Sequence, residues 1–130
     1  MRNDVVKGTI LAAVLALVLN LIIYFVGASR GVSYLTQQPG TVGSGMVIVA
    51  SLVTAVAAGI GLWLLARFMK NPLNLFMWLA GILALLSLLL PYAMAHDTGT
   101  FVALGLMHVS SGLAIVYALV NYFQRCPTCN

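Results

Sequence analysis

Acidic residues are almost absent from the sequence. It contains no glutamate, and its two aspartates, Asp4 and Asp97, lie outside the long apolar runs. A pump or small drug exporter driven by a carboxylate inside the membrane is therefore disfavoured. The basic residues give a net charge of +4 and are scattered along the chain, so we expect no nucleic-acid partner.

Charged residues of either sign are also scarce. They make up 6% of the 130 residues, whereas hydrophobic residues make up 62%. A soluble domain carries about 25% charged residues, so this chain cannot cover a water-facing surface, and the lipid bilayer is its expected surroundings. The sequence also lacks a glycine-rich phosphate loop and a Ser-His-Asp set, and no helix carries a cluster of metal ligands. We therefore expect no enzyme activity.

Long apolar runs dominate what is present. They cover residues 8–28, 45–68, 73–93 and 101–123, and each can cross about 30 Å of hydrocarbon as a helix. The sequence predicts a single all-α domain over residues 1–130, an up-and-down bundle of four transmembrane helices. Asn71 and Pro72 are typical of a helix start, and Asp97 is predicted to cap the fourth helix.

Lysine and arginine predict the orientation of the bundle. Five basic residues lie on one side of the predicted bundle: Arg2, Lys7, Arg67, Lys70 and Arg125. They belong to the N-terminal flank of the first helix, the loop between the second and third helices, and the tail after the fourth. The first loop contains one, Arg30, and the third loop has none. Because cytoplasmic loops carry the excess of basic residues, both termini are predicted to lie in the cytoplasm.

A polar layer is predicted inside the bundle. Helical rise places one or more hydrogen-bonding groups of each helix at a similar depth. These groups are Asn20, Ser51, Thr54, Ser87 and His108. Ser111, three residues after His108, is expected to share its helix face.

Two interpretations of this layer remain open. In the first, Asn20, Ser87 and His108 bond to one another and tie the helices together, with about 0.6 kcal/mol per bond on average. In the second, the layer lines a cavity for a quinone, a lipid or a porphyrin, or His108 ligates a metal, since ionisable groups inside membranes are candidates for function. The sequence identifies no particular cofactor.

The chain ends in a short tail, residues 124–130, with a CxxC motif formed by Cys126 and Cys129. This spacing suits a thiol redox pair, and it also suits half of a four-cysteine zinc site completed by a second copy or a partner. A tail without chemistry is the third alternative. No thioredoxin-like domain surrounds the motif, and a cytoplasmic tail would keep both thiols reduced.

Several segments resemble an uncharacterised bacterial family of four-helix membrane proteins of about this length. The segments are residues 20–24 (NLIIY), 30–32 (RGV), 87–91 (SLLLP), Thr100 and 106–108 (LMH). The most specific feature is the spacing from Ser-Leu-Leu-Pro to Met-His, although this chain has an extra leucine before Pro91. The CxxC tail is not part of the resemblance.

The resemblance implies a multi-pass protein of the bacterial cytoplasmic membrane and draws attention to Asn20, Ser87, Pro91 and His108. The family is a domain of unknown function, so the resemblance implies no activity. We expect an accessory or structural subunit of a larger membrane complex, or a homo-oligomer. The alternatives are a binding or carrier protein that uses the polar layer around His108, and a thiol or zinc protein that uses the tail.

Overall fold

A computed structural model of the chain describes residues 2–36 and 40–125 and contains the predicted four spans. The helices are α1 (Arg2–Ser29), α2 (Ser44–Phe68), α3 (Pro72–Ser87), α4 (Leu89–Met94) and α5 (Thr98–Gln124). Within the described residues α3 and α4 together form one span, Pro72–Met94, and all four spans are long and apolar enough to cross a membrane. The prediction of an all-α bundle of four membrane-spanning helices is confirmed.

Local sequence signals explain where the helices begin and end. Pro72 occupies the first turn of α3, where its missing N–H has no partner to lose. The end of α1 is closed by Gly31, which has a φ of 81°. Its N–H donates to Ala28 O at 3.1 Å, and the N–H of Val32 donates to Gly27 O at 3.0 Å. This arrangement requires the left-handed conformation that glycine adopts without strain.

The first helix lies at the centre of the bundle. It packs antiparallel against α2 and against α5, and the buried side chains between these three helices form the main core. The core includes Ala12, Leu62 and Leu119, each at most 1% exposed. We call the end that holds the start of α1 and the end of α5 the terminal face, and the opposite end the loop face.

The third span lies at the side of this three-helix core. The only buried residue of α3 is Phe76, and that of α4 is Pro91, whereas α5 buries nine residues. Large apolar side chains of the span are exposed, including Trp78 at 74% and Leu85 at 71%. The span is therefore held to the rest of the chain by a small part of its surface.

The third predicted helix, residues 73–93, is present as the span Pro72–Met94, with one break inside it. The helix is interrupted at Leu88 and resumes at Leu89. Pro91 has no N–H to donate to the carbonyl of Ser87, and its ring crowds that carbonyl. Leu88 itself keeps angles near those of a helix, φ −71° and ψ −18°, so the interruption is confined to this one residue.

The first loop folds over the loop face of the bundle. Tyr34 is buried there at 3% exposure, with its ring stacked on Tyr24 at 4.6 Å and its hydroxyl donating to Tyr24 O at 2.9 Å. A side chain on Gly27 would overlap the Tyr34 hydroxyl, so glycine is needed where the ring crosses α1. Tyr34, Val42 and Met107 belong to a second, smaller core at this face.

Candidate functional site

Asn20 is the centre of the polar group inside the bundle. It lies on α1, is 7% exposed, and faces both α2 and α5. Its Nδ2 donates to Ser51 Oγ at 2.8 Å, and the Ser51 hydroxyl in turn donates to Val47 O at 2.7 Å. The Asn20 amide is therefore linked to the backbone of α2 through one serine.

Two serines of α5 complete the group. Ser111 Oγ lies 3.0 Å and Ser110 Oγ 3.4 Å from Asn20 Oδ1. Both hydroxyls also lie within hydrogen-bond distance of Met107 O, and each has one proton to donate, so each can alternate between the two acceptors. We call Asn20, Ser51, Ser110 and Ser111 the asparagine cluster.

The asparagine cluster satisfies its own polar atoms. Across the described residues, no buried side-chain nitrogen or oxygen lacks a hydrogen-bond partner. In a hydrocarbon environment a polar group without a hydrogen-bond partner costs several kcal/mol. Hydrogen bonds that satisfy every buried polar atom therefore stabilise the contact between the three helices. Ser110 also lines an open groove between α1 and α5, together with Leu113 and Tyr117.

His108 does not join the cluster. Its Nδ1 lies 2.8 Å from Leu104 O of its own helix. A carbonyl can only accept, so Nδ1 carries the proton and Nε2 is left as the acceptor of the neutral ring. Gly112, one turn later on the same face, lies opposite Ala84 of α3, whereas Ser111 is directed at Asn20.

The other two predicted members of the layer also bond to their own helices. Ser87 Oγ donates to Ala84 O at 2.8 Å, and Thr54 Oγ1 donates to Ala50 O at 2.7 Å, with Thr54 exposed. The expectation that Asn20, Ser87 and His108 bond to one another is therefore wrong. The structure brings together Asn20, Ser51 and Ser111 of the predicted set, and it places His108, Ser87 and Thr54 outside the cluster.

The CxxC motif of Cys126 and Cys129 lies outside the described residues, so its predicted thiol or zinc chemistry stays a prediction. Within residues 2–36 and 40–125, no group of three or more histidine, cysteine, aspartate or glutamate side chains could hold a metal ion.

A second polar group lies at the loop face, around Asp97. The Thr100 N–H donates to Asp97 Oδ1 at 2.9 Å, while the hydroxyls of Ser33 and Thr100 donate to Oδ2 at 2.8 Å. The predicted cap of the last helix is thereby confirmed. These bonds lower the pKa of Asp97 from 3.8 to about 2. The bond from the Thr100 N–H contributes most, followed by the bonds from the hydroxyls of Ser33 and Thr100.

The hydrogen bond between Ser33 and Asp97 was not predicted from the sequence. The burial of Tyr34 was not predicted either. Ser33 and Asp97 are 64 residues apart, and nothing local in either segment predicts their contact. For Ser110, by contrast, a signal existed. When the first and last spans pair antiparallel, Asn20 lies opposite residues 110 and 111. Ser110 is the direct neighbour of the predicted Ser111, so it could have been included with it.

The model of a family of unknown function (DUF6069) matches residues 1–125 of the chain. The chain belongs to the DUF6069 family. The match covers the four spans and the whole asparagine cluster, and it confirms the resemblance to a family without an assigned activity. No curated protein and no solved structure matches the chain. This member of the DUF6069 family is thus a small bundle of four apolar helices. Its function has to be inferred from its own residues.

Proposed function

We propose that the chain is a structural protein of the bacterial cytoplasmic membrane that works by association, either as a subunit of a larger complex or as a homo-oligomer. Both termini lie in the cytoplasm in this proposal, as the distribution of lysine and arginine predicts. The observation that carries it is the exposed third span, which adds one buried residue from α3 and one from α4 to the core.

Gly81 adds support on α3. It is exposed, and a side chain built on it would meet no atom within 4 Å. Glycine on the outer surface of a membrane helix gives lipid little to contact, whereas it lets the backbone of another helix approach closely. A neighbouring membrane helix therefore suits this part of the third span better than lipid does.

The test is native mass spectrometry of the protein extracted in native lipid particles. We expect a mass above that of one chain, from a second copy or from another polypeptide in fixed ratio. Gly81→Leu should lower this association about tenfold or more, since a large side chain prevents close helix approach.

Gly61→Leu is the matched control, because Gly61 lies on α2 and a side chain built there also meets no atom within 4 Å. It should leave the association unchanged. A single chain without any second polypeptide, or equal loss in the two variants, would contradict the proposal.

A binding protein is the second candidate, and the geometry of His108 favours it. An imidazole whose Nδ1 is bonded to a backbone carbonyl has a fixed orientation and offers Nε2 to a ligand. A quinone, a porphyrin, a lipid headgroup or a metal ion could occupy that position. A visible spectrum or an excess mass that disappears in His108→Ala and persists in Ser87→Ala would support this candidate. A colourless protein without excess mass would exclude it.

A further inference from the structure

An apolar groove runs between α1 and α2 in the terminal-face half of the bundle. It has a volume of about 340 Å³ and is open along one side. Val6 and Ile10 line it from α1, Val56 and Ile60 line it from α2, and Trp63 lies at its terminal-face end. All of the lining residues are apolar except Thr9.

The hydroxyl of Thr9 is already bonded, since it donates to Val5 O at 2.8 Å. Gly59, across from Thr9, has no side chain to fill the floor of the groove, and a Cβ there would overlap the threonine. The Thr9 hydroxyl is therefore not free, and the rest of the lining is hydrocarbon and the ring of Trp63.

The positively charged side chain of Arg67 lies beside the terminal-face end of this groove. Arg67 follows Trp63 by one helical turn, and its guanidinium carbon lies 5.8 Å from the centroid of the Trp63 ring. Arg67 is exposed, so its charge is available to a ligand at the membrane surface. Lys7 is also exposed near this end; neither Lys7 nor Arg67 lines the groove, but Arg67 lies against the lining residue Trp63.

The distance from Arg67 to the inner end of the groove matches one leaflet of a bilayer. Arg67 and Val56 are eleven residues apart on α2, which corresponds to about 16 Å of helix. Half of the hydrocarbon thickness is about 15 Å. A lipid chain that begins at the level of Arg67 and follows the groove would therefore end near the middle of the membrane.

We propose that this groove binds one acyl chain of an anionic phospholipid, with the headgroup phosphate bound by Arg67. Guanidinium groups bind phosphate with paired donors, and Trp63 lies at the boundary where the chain begins. Neither this groove nor the one between α1 and α5 has a charged residue in its lining, and Arg67 is placed at the first groove by its contact with Trp63. The proposal does not depend on what contacts the third span.

The natural tryptophan of the groove provides the measurement. The chain has two tryptophans, so Trp78→Phe leaves Trp63 as the only indole. This variant is reconstituted in vesicles of phosphatidylcholine and phosphatidylglycerol in equal parts, with bromine on the acyl chains of one lipid at a time. Bromine quenches indole fluorescence on contact. We expect brominated phosphatidylglycerol to occupy the groove about fivefold more favourably than brominated phosphatidylcholine.

Charge variants test the headgroup contact. Arg67→Gln should abolish the preference for phosphatidylglycerol, and Arg67→Lys should keep most of it, since the positive charge remains. Lys7→Gln removes the same charge from α1 and should leave the preference intact. Equal quenching by the two lipids in the parent protein, or equal loss in Arg67→Gln and Lys7→Gln, would overturn the proposal.

Volume variants test the acyl-chain contact. Val56→Phe puts a ring into the groove and should reduce quenching of Trp63 by either brominated lipid. Val53→Phe places the same ring at an exposed position of α2 outside the groove, and quenching should be unchanged. Unchanged quenching in Val56→Phe would show that the chain lies elsewhere and would overturn the proposal.

Discussion

Asn20 bonds to both neighbours of the first helix, α2 and α5. Its donor side reaches Ser51 of α2, and its acceptor side reaches Ser111 of α5. Sliding either neighbour by one turn along α1 would move its serine about 5.4 Å away and leave the amide without that bond. The residue therefore specifies the register of two helix pairs at once.

Replacing this amide with a hydrocarbon should weaken the bundle. We expect Asn20→Leu to lower the free energy of unfolding by about 1–2 kcal/mol, the range of two average to strong interhelical hydrogen bonds in a membrane. Ser87→Ala is the control, because Ser87 bonds to Ala84 O within its own helix, and it should change stability by less than about 0.5 kcal/mol. Unfolding in mixed micelles measures both, and an equal effect of the two changes would contradict the role given to Asn20.

The carboxylate of Asp97 makes the loop face sensitive to acid. Its pKa is about 2 in the folded chain against the usual 3.8, so the unfolded chain binds a proton more readily. The stabilisation is fully present above the usual pKa and is lost as pH falls through about 2. We expect the unfolding midpoint temperature to fall when pH is lowered from about 5 to about 2.

Asp97→Asn isolates this effect from other groups that titrate in the same range. The variant keeps an oxygen for the Thr100 N–H and has no carboxylate to protonate, so the fall between these two pH values should be smaller. The same fall in both proteins would show that the acid sensitivity comes from another group.

At the scale of the helix pair, Gly59 allows α1 and α2 to approach closely. A Cβ at Gly59 would overlap Thr9, whereas a Cβ at Gly61 would meet nothing within 4 Å. We expect Gly59→Ala to lower the free energy of unfolding by about 1–3 kcal/mol, because overpacking forces the helices apart. Gly61→Ala should be neutral or slightly stabilising, and the reverse order of the two effects would rule out this account of the contact.

The helices and their ends could be predicted from the sequence wherever neighbouring residues determine them. Apolar length predicts four spans, Pro72 predicts the start of α3, and Asp97 predicts the cap of α5. The break at Leu88 lies three residues before Pro91, and Pro91 alone does not tell which residue of the preceding turn leaves the helix. Depth alone could not predict the site, because it fixes the level of a residue and not the direction it faces. His108 and Ser111 lie three residues apart yet face different neighbours.

At the scale of the whole molecule, α1 begins and α5 ends on the same face, since the two helices are antiparallel. We expect a membrane-impermeant maleimide to leave Cys126 and Cys129 unlabelled in intact cells, because the terminal face is predicted to be cytoplasmic. In a chain with both cysteines changed to serine, Gly40→Cys at the exposed loop face should be labelled. The opposite pattern would invert the predicted orientation.

The central position of α1 also has a consequence for synthesis. Asn20 emerges before either partner, meets Ser51 after 31 more residues, and meets Ser111 after 91. At about 5–20 residues per second, the second meeting comes roughly 5–20 s after Asn20 is made. A ribosome that stalls before α5 therefore leaves an amide oxygen inside the bilayer without its donor. Completion of the last helix supplies that donor together with the nine residues that α5 buries.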